Sequence, residues 1–302
     1  MTSQTITAAA SGTFELGDLT VNRIGFGAMR LPQHGAAFAA AAVPRDRDRA
    51  IDVLRRAVEL GVNHIDTAAF YFSPLRSANE LINRALAPYP DELVITTKVG
   101  PGRDPAGHWL PHATPAQLRG QVEENLRQLG RDHLDVVNLR IVGADSIAER
   151  FGALAELREA GLIRHLGLSN IRPHHLAEAR SIAPVVCVQN MYGIGGSPDQ
   201  GELLRTCGEQ RIAFVPFYSI AGAGREGGAI TDNSPEVHTI ASAHQVSTAQ
   251  VRLAWTLHQG PHVLAIPGTG NPDHLAQNVA AGSLRLSAGE LSVLDSLGRE
   301  TP

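Results

Sequence analysis

Three ionisable residues near the ends of two strand-like runs could together transfer a proton. Asp66 and Tyr71 belong to the run HIDTAAFY at residues 64–71, and Lys98 belongs to LVITTKVG at residues 93–100. A free phenol titrates at about 10 and is a poor acid at neutral pH. A buried ammonium beside the phenol favours the phenolate, and a carboxylate beside the ammonium keeps the lysine charged. Asp66, Tyr71 and Lys98 therefore form a physically sensible proton donor for chemistry near pH 7.

The elements that would position these residues alternate between short β-like runs and amphipathic stretches of helical period. A short polar hairpin around Gly17 and Asp18 comes first. The β-like runs then begin near Arg23, His64, Leu93, Leu134, Ile163, Val185, Ala213 and Val263. Helices are predicted at Arg47–Leu60, Asn79–Ala87, Pro115–Leu129, Ile147–Ala160, His174–Ile182, Gly201–Gln210, Thr248–His258 and Pro272–Ala280. This alternation is typical of parallel strands joined by crossover helices.

The regularity of the alternation favours a closed barrel over a doubly wound open sheet. The chain has 302 residues and no break in composition, so we expect an α/β protein, a (β/α)8 TIM barrel with an N-terminal β-hairpin, in one domain over residues 1–302. In such a barrel the active site lies at the C-terminal ends of the strands. The residues predicted at those ends are Asp66, Lys98, Arg140, Asn170, Gln189 and Phe217.

Composition and charge limit the possible classes of function. The net charge is −4 and no basic block is present, which disfavours nucleic acid as the main ligand. The first 17 residues contain neither a positively charged region nor a long apolar stretch, so we expect no signal peptide and no membrane span. Cys187 and Cys207 form no CxxC pair, as expected for reduced thiols of a cytoplasmic protein. The 13 histidines show no HxxxH or HExxH spacing, so no metal site is predicted.

HIDTAAFY followed by ITTK resembles the signature of the aldo-keto reductases, which are NAD(P)H-dependent barrel enzymes without a metal. Four further segments resemble the family in the same order: RIGFGAMRL at 23–31, GLIRHLGLSN at 161–170, CVQNMY at 187–192 and IPGTGNPDHLAQN at 266–278. The resemblance implies hydride transfer from the cofactor to a small-molecule carbonyl. Tyr71 would protonate the carbonyl oxygen, Lys98 would make the phenol a better acid, and Asp66 would hold Lys98.

The fourth catalytic position of the family differs in this chain. Most members read DLYLIHW there, whereas this chain reads LDVVNLRIV, with Arg140 instead of histidine five residues after Asp135. The family's histidine orients the carbonyl and can relay a proton. An arginine stays charged and presents a planar fork of donors, so Arg140 could polarise an oxygen or clamp an anionic or phenolic group, but it cannot shuttle protons. A purely structural Arg140, paired with Asp66 or another neighbour, stays open.

The resemblance also implies which residues contact the cofactor. These are Gly27, Met29, Ser169, Asn170, Gln189, Phe217, Gly268, Thr269, His274 and Asn278. Ser169, Asn170 and Gln189 match the residues that hydrogen-bond the nicotinamide carboxamide. Phe217 matches the ring that stacks on the nicotinamide, for which only a π-face is needed. The alternative, that these polar residues cap neighbouring loops and that Phe217 belongs to the core, stays open.

The segment after the last strand leads into a helix that begins at Pro272, and such an N-terminus can bind phosphate. NADPH-preferring members often place an arginine and a lysine around the 2′-phosphate. This chain has His274 and Gly268 at those positions. NADPH is the expected cofactor because the family commonly uses it, whereas the two departures leave NADH open. Asn278 matches the asparagine that contacts adenine.

The segment GAGREG at residues 222–227 is a formal GxGxxG match. A Rossmann fingerprint opens a helix and is followed by an acid about 20 residues later. Here residues 229–235 are predicted to form a loop, and no acid occurs at that offset. We therefore expect a mobile glycine-rich lid over the pyrophosphate, with plain loop flexibility as the alternative.

LDVVNLR and the loop GHWLP at 107–111 resemble the branch of the family that contains bacterial pyridoxal reductases. The implied reaction reduces an aldehyde or ketone to an alcohol, with pyridoxal to pyridoxine as one candidate and Phe72 and Trp109 as pocket walls. Reduction of a C=C or C=N bond stays open, as does a cofactor-binding regulatory subunit on the same barrel. A monomer and a homo-oligomer are both compatible with the sequence.

Overall fold

The computed structural model describes residues 6–35, 37–38, 42–143, 146–195, 198–220 and 234–297. Its strands are β1 (Thr13–Leu16), β2 (Leu19–Asn22), β3 (Phe26–Gly27), β4 (Gln33–His34), β5 (Val43–Pro44), β6 (His64–Asp66), β7 (Phe72–Ser73), β8 (Arg76–Ser77), β9 (Val94–Val99), β10 (Leu134–Arg140), β11 (Ile163–Ser169), β12 (Val185–Gln189) and β13 (Ala213–Phe214). Its α-helices are α1 (Arg47–Glu59), α2 (Ala78–Leu86), α3 (Pro115–Leu129), α4 (Ala148–Glu159), α5 (Pro173–Arg180), α6 (Pro198–Glu209), α7 (Pro235–His244), α8 (Thr248–His258), α9 (Pro272–Ala280) and α10 (Ala288–Ser296).

A parallel sheet in the described part of the chain closes on itself. Hydrogen-bonded neighbours follow the order β13-β12-β11-β10-β9-β6-β3. The segment after α8 joins the two edges of this sheet. The Leu264 amide donates to the Phe214 carbonyl at 2.9 Å, and the Ala265 amide donates to the Arg23 carbonyl at 2.8 Å. The closed parallel sheet confirms the predicted (β/α)8 barrel.

The N-terminal hairpin, which was also predicted, packs against the apolar interior of the barrel. β1 and β2 pair antiparallel around Gly17, whose φ of +70° lies in the left-handed region that favours glycine. Leu16 and Val21 from the hairpin form one buried cluster with Val94 and Val136 from the barrel strands. The hairpin thus removes apolar barrel surface from water.

The helices begin and end where local signals place them. In α3, Pro115 occupies the first turn after a capping box formed by Thr114 and Gln117, and the chain leaves the helix at Gly130 in a left-handed conformation. The predicted bounds of this helix, and of the helices Thr248–His258 and Pro272–Ala280, match the structure. The other predicted helices differ from those observed by one to three residues at an end.

Two features of the fold differ from the sequence prediction. The helices α7 and α10 were not predicted, and Pro235 starts α7 instead of ending a loop, because proline suits the first turn of a helix. The first barrel strand is reduced to β3, and the predicted strand near Val263 joins its neighbours only through single bridges. A Cβ on Gly27 would lie 2.5 Å from the Ile266 carbonyl oxygen, so the two backbones meet closely where regular pairing stops.

The predicted glycine-rich lid, GAGREG at 222–227, lies outside the residues that the structure describes. Among the helices that the structure describes, none combines the length and the apolar character that crossing a bilayer requires.

Candidate active site

A cleft of about 1060 Å³ opens at the C-terminal ends of the barrel strands. Asp66, Arg140 and Gln189 are the last residues of β6, β10 and β12, and all three side chains line the cleft. Of the residues predicted from the sequence, the cleft lining also contains Gly27, Met29, Tyr71, Trp109, Phe217, Gly268, Thr269, His274 and Asn278. The strand-end positions of the barrel therefore bring most of the predicted site together.

A buried ion pair forms the polar centre of this site. The Lys98 ammonium donates to Asp66 Oδ1 at 2.5 Å and to the Thr67 carbonyl at 3.0 Å, and its side chain is 2% exposed. The ammonium lies 4.9 Å from the centroid of the Tyr71 ring. Tyr71 itself is buried but lines the cleft. The predicted arrangement of carboxylate, ammonium and phenol is present in the structure.

The environment of Lys98 keeps its side chain protonated. Burial by itself disfavours the ammonium, but attraction to the Asp66 carboxylate, followed by that to Tyr71, outweighs this cost and raises the pKa of Lys98. A permanent positive charge next to a phenol favours the phenolate over the phenol. The site thus holds a fixed cation where a tyrosine would develop negative charge.

A buried polar network supports the loop that follows Asp66. The Thr67 hydroxyl donates to Asn79 Oδ1 at 2.7 Å, and the Asn79 amide donates to Asn125 Oδ1 at 2.9 Å. The Thr97 hydroxyl donates to the same Asn125 oxygen at 2.6 Å. The Thr67 carbonyl accepts a hydrogen bond from the Lys98 ammonium, so this network helps to hold that carbonyl in place.

Gln189 joins the centre through one half of its amide. Its Nε2 donates to Asp66 Oδ2 at 2.7 Å, so both carboxylate oxygens of Asp66 have a partner. Its Oε1 is buried and has no hydrogen-bond partner among the described residues. A buried acceptor without a donor is uncommon and costly, and here it belongs to a side chain that lines the cleft. Gln189 could therefore accept a hydrogen bond from the N–H group of a ligand.

Arg140 lies between the ends of two strands and an aromatic ring. Its Nη1 donates to Ser169 Oγ at 3.2 Å, and its guanidinium carbon lies 5.2 Å from the centroid of the Phe217 ring. Among the ion pairs of the described residues, none joins Arg140 to Asp66. The arrangement leaves a fork of donors in the cleft, held in place by a hydroxyl and a ring face.

Four predicted residues do not line the described cleft: Lys98, which is buried beside Tyr71, and also Ser169, Asn170 and Phe72. The Ser169 hydroxyl is buried and accepts from Arg140. Asn170 adopts a left-handed conformation with φ of +58°, and its amide donates to the Ile141 carbonyl at 2.9 Å. The Phe72 ring lies 4.5 Å from the guanidinium carbon of Arg103. Of the three residues predicted to bind a carboxamide, the structure places only Gln189 in the cleft lining.

An aromatic wall at the mouth of the cleft includes rings that the sequence prediction missed. The Trp109 ring lies 5.2 Å from that of Phe38 and 5.8 Å from that of Phe70, between ring centroids. The Phe70 ring meets the Tyr71 ring edge-on at 5.1 Å. Phe70 adjoins Tyr71 in the sequence and could have been found from that position, whereas nothing local indicated Phe38.

Arg103 contacts several residues of this wall, and the sequence prediction did not include it. Its guanidinium donates to the carbonyls of Phe72 at 2.8 Å, of Gly107 at 3.0 Å and of Phe38 at 3.3 Å. It also lies 5.8 Å from the Trp109 ring centroid. These contacts come from three separate segments of the chain, so no spacing in the sequence indicates them.

Comparison with known proteins agrees with this geometry. Residues 23–299 match the Aldo/keto reductase family. The chain is 44% identical to pyridoxine 4-dehydrogenase from Escherichia coli (strain K12) over 298 residues, which cover 96% of this chain and 100% of that protein.

Two solved structures show the same fold. A thermostable aldo-keto reductase in complex with the inhibitor epalrestat superposes with a TM-score of 0.79 at 28% identity and covers 95% of this chain and 99% of its own. An aldo-keto reductase from Klebsiella pneumoniae in complex with NADPH gives a TM-score of 0.75 at 29% identity and covers 91% of this chain and 90% of its own. The resemblance predicted from the strand-end residues is thus confirmed: the chain belongs to the aldo/keto reductase family.

Proposed function

We propose that the protein is an NADPH-dependent reductase that converts pyridoxal to pyridoxine in the cytoplasm, with Tyr71 as the proton donor. The observation that carries the proposal is the buried Asp66–Lys98 pair beside Tyr71 at the C-terminal ends of the barrel strands. Family membership supports reduction of a carbonyl group, and the E. coli relative named pyridoxine 4-dehydrogenase supports the choice of substrate.

The residues of the centre divide the chemistry among them. When bound, NADPH supplies the hydride that reaches the carbonyl carbon. The Tyr71 hydroxyl gives its proton to the carbonyl oxygen, which becomes the alcohol. The Lys98 ammonium stabilises the resulting phenolate, and Asp66 holds Lys98 in place. The phenolate then takes a proton from solvent, which restores the Tyr71 hydroxyl for the next cofactor and substrate.

The residues of the cleft fit a nicotinamide cofactor. The orphaned Oε1 of Gln189 could accept a hydrogen bond from a carboxamide N–H, and the Phe217 ring in the cleft lining could stack on the nicotinamide. The cleft, at about 1060 Å³, is at the upper end of small-molecule sites, which suits a dinucleotide together with a substrate. The NADPH complex of the Klebsiella pneumoniae neighbour supports the choice of cofactor.

Arg140 and the aromatic wall fit an aromatic aldehyde that carries an oxygen beside the reacting group. The guanidinium fork of Arg140 could bind the 3-oxygen of pyridoxal, because its permanently charged donors suit an anionic oxygen. The rings of Phe38, Phe70 and Trp109 could cover the pyridine ring. Arg140 would then select the substrate and leave proton donation to Tyr71.

Replacement of the proposed acid tests the reaction. Tyr71→Phe removes the proton donor, so we expect the rate of NADPH oxidation by pyridoxal to fall by about 10²- to 10⁴-fold while NADPH binding is retained. Tyr89→Phe is a matched control, since its hydroxyl donates to the Leu129 carbonyl outside the cleft lining. Near-normal turnover in Tyr71→Phe would contradict the assigned acid.

A substrate panel tests the assigned reaction. Pyridoxal, benzaldehyde, an enone and an imine are assayed with NADPH and with NADH. We expect pyridoxal with NADPH to give the highest kcat/KM, and Arg140→Gln to lower this value for pyridoxal more than for benzaldehyde, which lacks the neighbouring oxygen. Turnover of the enone or imine but not of the carbonyls would contradict the proposal and favour reduction of a C=C or C=N bond. Tight NADPH binding without any turnover would instead indicate a regulatory subunit.

A further inference from the structure

One side of the cleft carries positive charge that no carboxylate of its described lining balances. Arg30, Arg45 and Arg49 line it together with His34. The only carboxylate in the described lining is that of Asp66, whose two oxygens are already bonded to Lys98 and Gln189. Arg45 and Arg49 therefore form a cationic group that could hold an anion from outside the chain.

Arg45 is held at a fixed place in this group. Its guanidinium lies where a Cβ on Gly270 would have to stand, so the missing side chain at Gly270 makes room for it. One guanidinium nitrogen donates to the Gln33 carbonyl at 3.2 Å. Its Nε is buried and has no hydrogen-bond partner in the part of the chain that the structure describes. A preplaced guanidinium with an unused donor is a suitable element of an anion site.

The charges of the group oppose one another in the absence of an anion. Burial lowers the pKa of Arg45, and the neighbouring Arg49 and Arg30 lower it further. Burial followed by repulsion from Arg45 and Arg49 likewise lowers the pKa of His34. In the described residues, neither Arg45 nor Arg49 forms an ion pair with an acid. A bound dianion would relieve this repulsion.

We propose that Arg45 and Arg49, assisted by Arg30, bind a phosphomonoester, namely the 2′-phosphate of NADPH. This assignment rests on the proposed function. Arg45 lies against Gly270, in the turn that leads into α9, and Asn278 on the same helix also lines the cleft. The carbonyl would react near Tyr71, in the loop after β6, and Gln189, at the end of β12. The arginines of the segment before α1 and of its first turn would therefore bind the nucleotide and set the preference for NADPH over NADH.

Binding measurements with paired cofactors test the assignment without relying on turnover. The dissociation constants of NADPH and NADH are measured for the wild type, Arg45→Gln, Arg49→Gln and the double variant. We expect the double variant to bind NADPH about 10- to 100-fold more weakly, because charge-assisted hydrogen bonds to phosphate are lost, and NADH within about threefold of the wild type. Arg56→Gln is the matched control, since Arg56 is exposed on the same helix, pairs with Glu59 and is absent from the cleft lining.

A second variant displaces the guanidinium without removing its charge. In Gly270→Ala the new methyl group would occupy the place of the Arg45 guanidinium, whose flexible side chain must then move away. We expect weaker binding of NADPH and little change for NADH. Equal losses for both cofactors, or no loss in the double variant, would overturn the proposal.

Further ligands distinguish the 2′-phosphate of the nucleotide from the phosphate of a phosphorylated substrate as the bound group. Adenosine 2′,5′-bisphosphate should compete with NADPH in the wild type and lose this ability in the double variant, whereas adenosine 5′-monophosphate should be affected little. If the double variant instead keeps its NADPH affinity and loses only binding of pyridoxal 5′-phosphate, the site serves a phosphorylated substrate and the assignment is wrong. Selective NADPH binding without turnover of any carbonyl would leave the phosphate site standing and refute the proposed function.

Discussion

At the ends of β6 and β9, the carboxylate of Asp66 and the ammonium of Lys98 are buried and bonded to each other, whereas Arg45 and Arg49 on the α9 side of the cleft share no acid within the described residues. The first pair is complete when the chain folds, so its charges can be buried without a ligand. The second group lies nearer to water and stays unbalanced. Balanced charge is suited to a fixed catalytic centre, and unbalanced charge is suited to binding an anion that comes and goes.

The largest expected effect comes from unbalancing the buried pair. Lys98→Met leaves the Asp66 carboxylate buried without its cation, so we expect the free energy of unfolding to fall by about 3–5 kcal/mol and kcat to fall by about 10³-fold or more. Urea unfolding and steady-state kinetics measure the two effects. In the double variant Asp66→Asn/Lys98→Met the buried charge is absent, so stability should partly recover while activity should not. A stable Lys98→Met protein would contradict the comparison.

The buried region around Asp66 and Lys98 should also make the free energy of unfolding depend on pH through His64. This residue begins β6, and burial lowers its pKa from 6.5 to about 4, with opposing effects of the Asp66 and Lys98 charges. Because the unfolded chain binds the proton more readily, the stability contributed by the neutral imidazole is complete above pH 6.5 and is lost as the pH falls towards 4. We expect a loss of up to about 3 kcal/mol over this window.

The contribution of His64 is isolated by comparison with His64→Gln, which stays neutral throughout. The free energy of unfolding of both proteins is followed by urea titration at a series of pH values. The difference between the two curves should grow in favour of the variant as the pH falls. Parallel curves would show that His64 takes up no proton on unfolding.

Arg103 and Arg45 offer a smaller test in which the residue type is the same and only the satisfaction of its donors differs. Arg103 donates to carbonyls of three segments, so Arg103→Gln should lower the free energy of unfolding by about 2 kcal/mol and raise the KM for pyridoxal about tenfold, with a smaller change in kcat. Arg45→Gln should change stability by less than about 0.5 kcal/mol. Equal destabilisation of the two variants would remove the distinction between a structural and a ligand-binding arginine.

The smallest expected effect is that of salt. Raising ionic strength from about 0.05 M to about 0.5 M shortens the screening length, so NADPH should bind several-fold more weakly while NADH changes little. The kcat at saturating cofactor should not change, because Asp66 and Lys98 are buried. Titrations of both cofactors and initial rates at each salt concentration check this. A salt-sensitive kcat at saturation would show that the catalytic centre is less shielded than its burial indicates.

The positions of Asp66, Tyr71 and Lys98 could be predicted because they depend on local patterns. Each follows from where a strand-like run ends, and a barrel brings strand ends to one face. The fold was predictable for the same reason, since strands and helices alternate evenly along the chain. The missed helices α7 and α10 fall outside that eightfold rhythm.

The remaining parts of the site depend on contacts between distant segments. Whether Ser169 faces a cofactor or accepts from Arg140 cannot be read from its place in the sequence, since both uses require the same strand end. Arg45 and Arg49 belong to the run PRDRDR and look like an ordinary solvated helix start. What distinguishes them is the absence of a nearby carboxylate in the described cleft lining, which is a property of the folded molecule alone.

The two buried cysteines could report which part of the molecule unfolds first, because each lies in a different buried cluster. Cys187 lies on β12, in the cluster covered by the hairpin, and Cys207 lies on α6, in the main core outside that cluster. Burial raises the pKa of each thiol to about 12, so neither is expected to react with an alkylating reagent in the native state. The order in which the two thiols become labelled under mild denaturant would therefore report whether the hairpin leaves the barrel before the helical layer loosens.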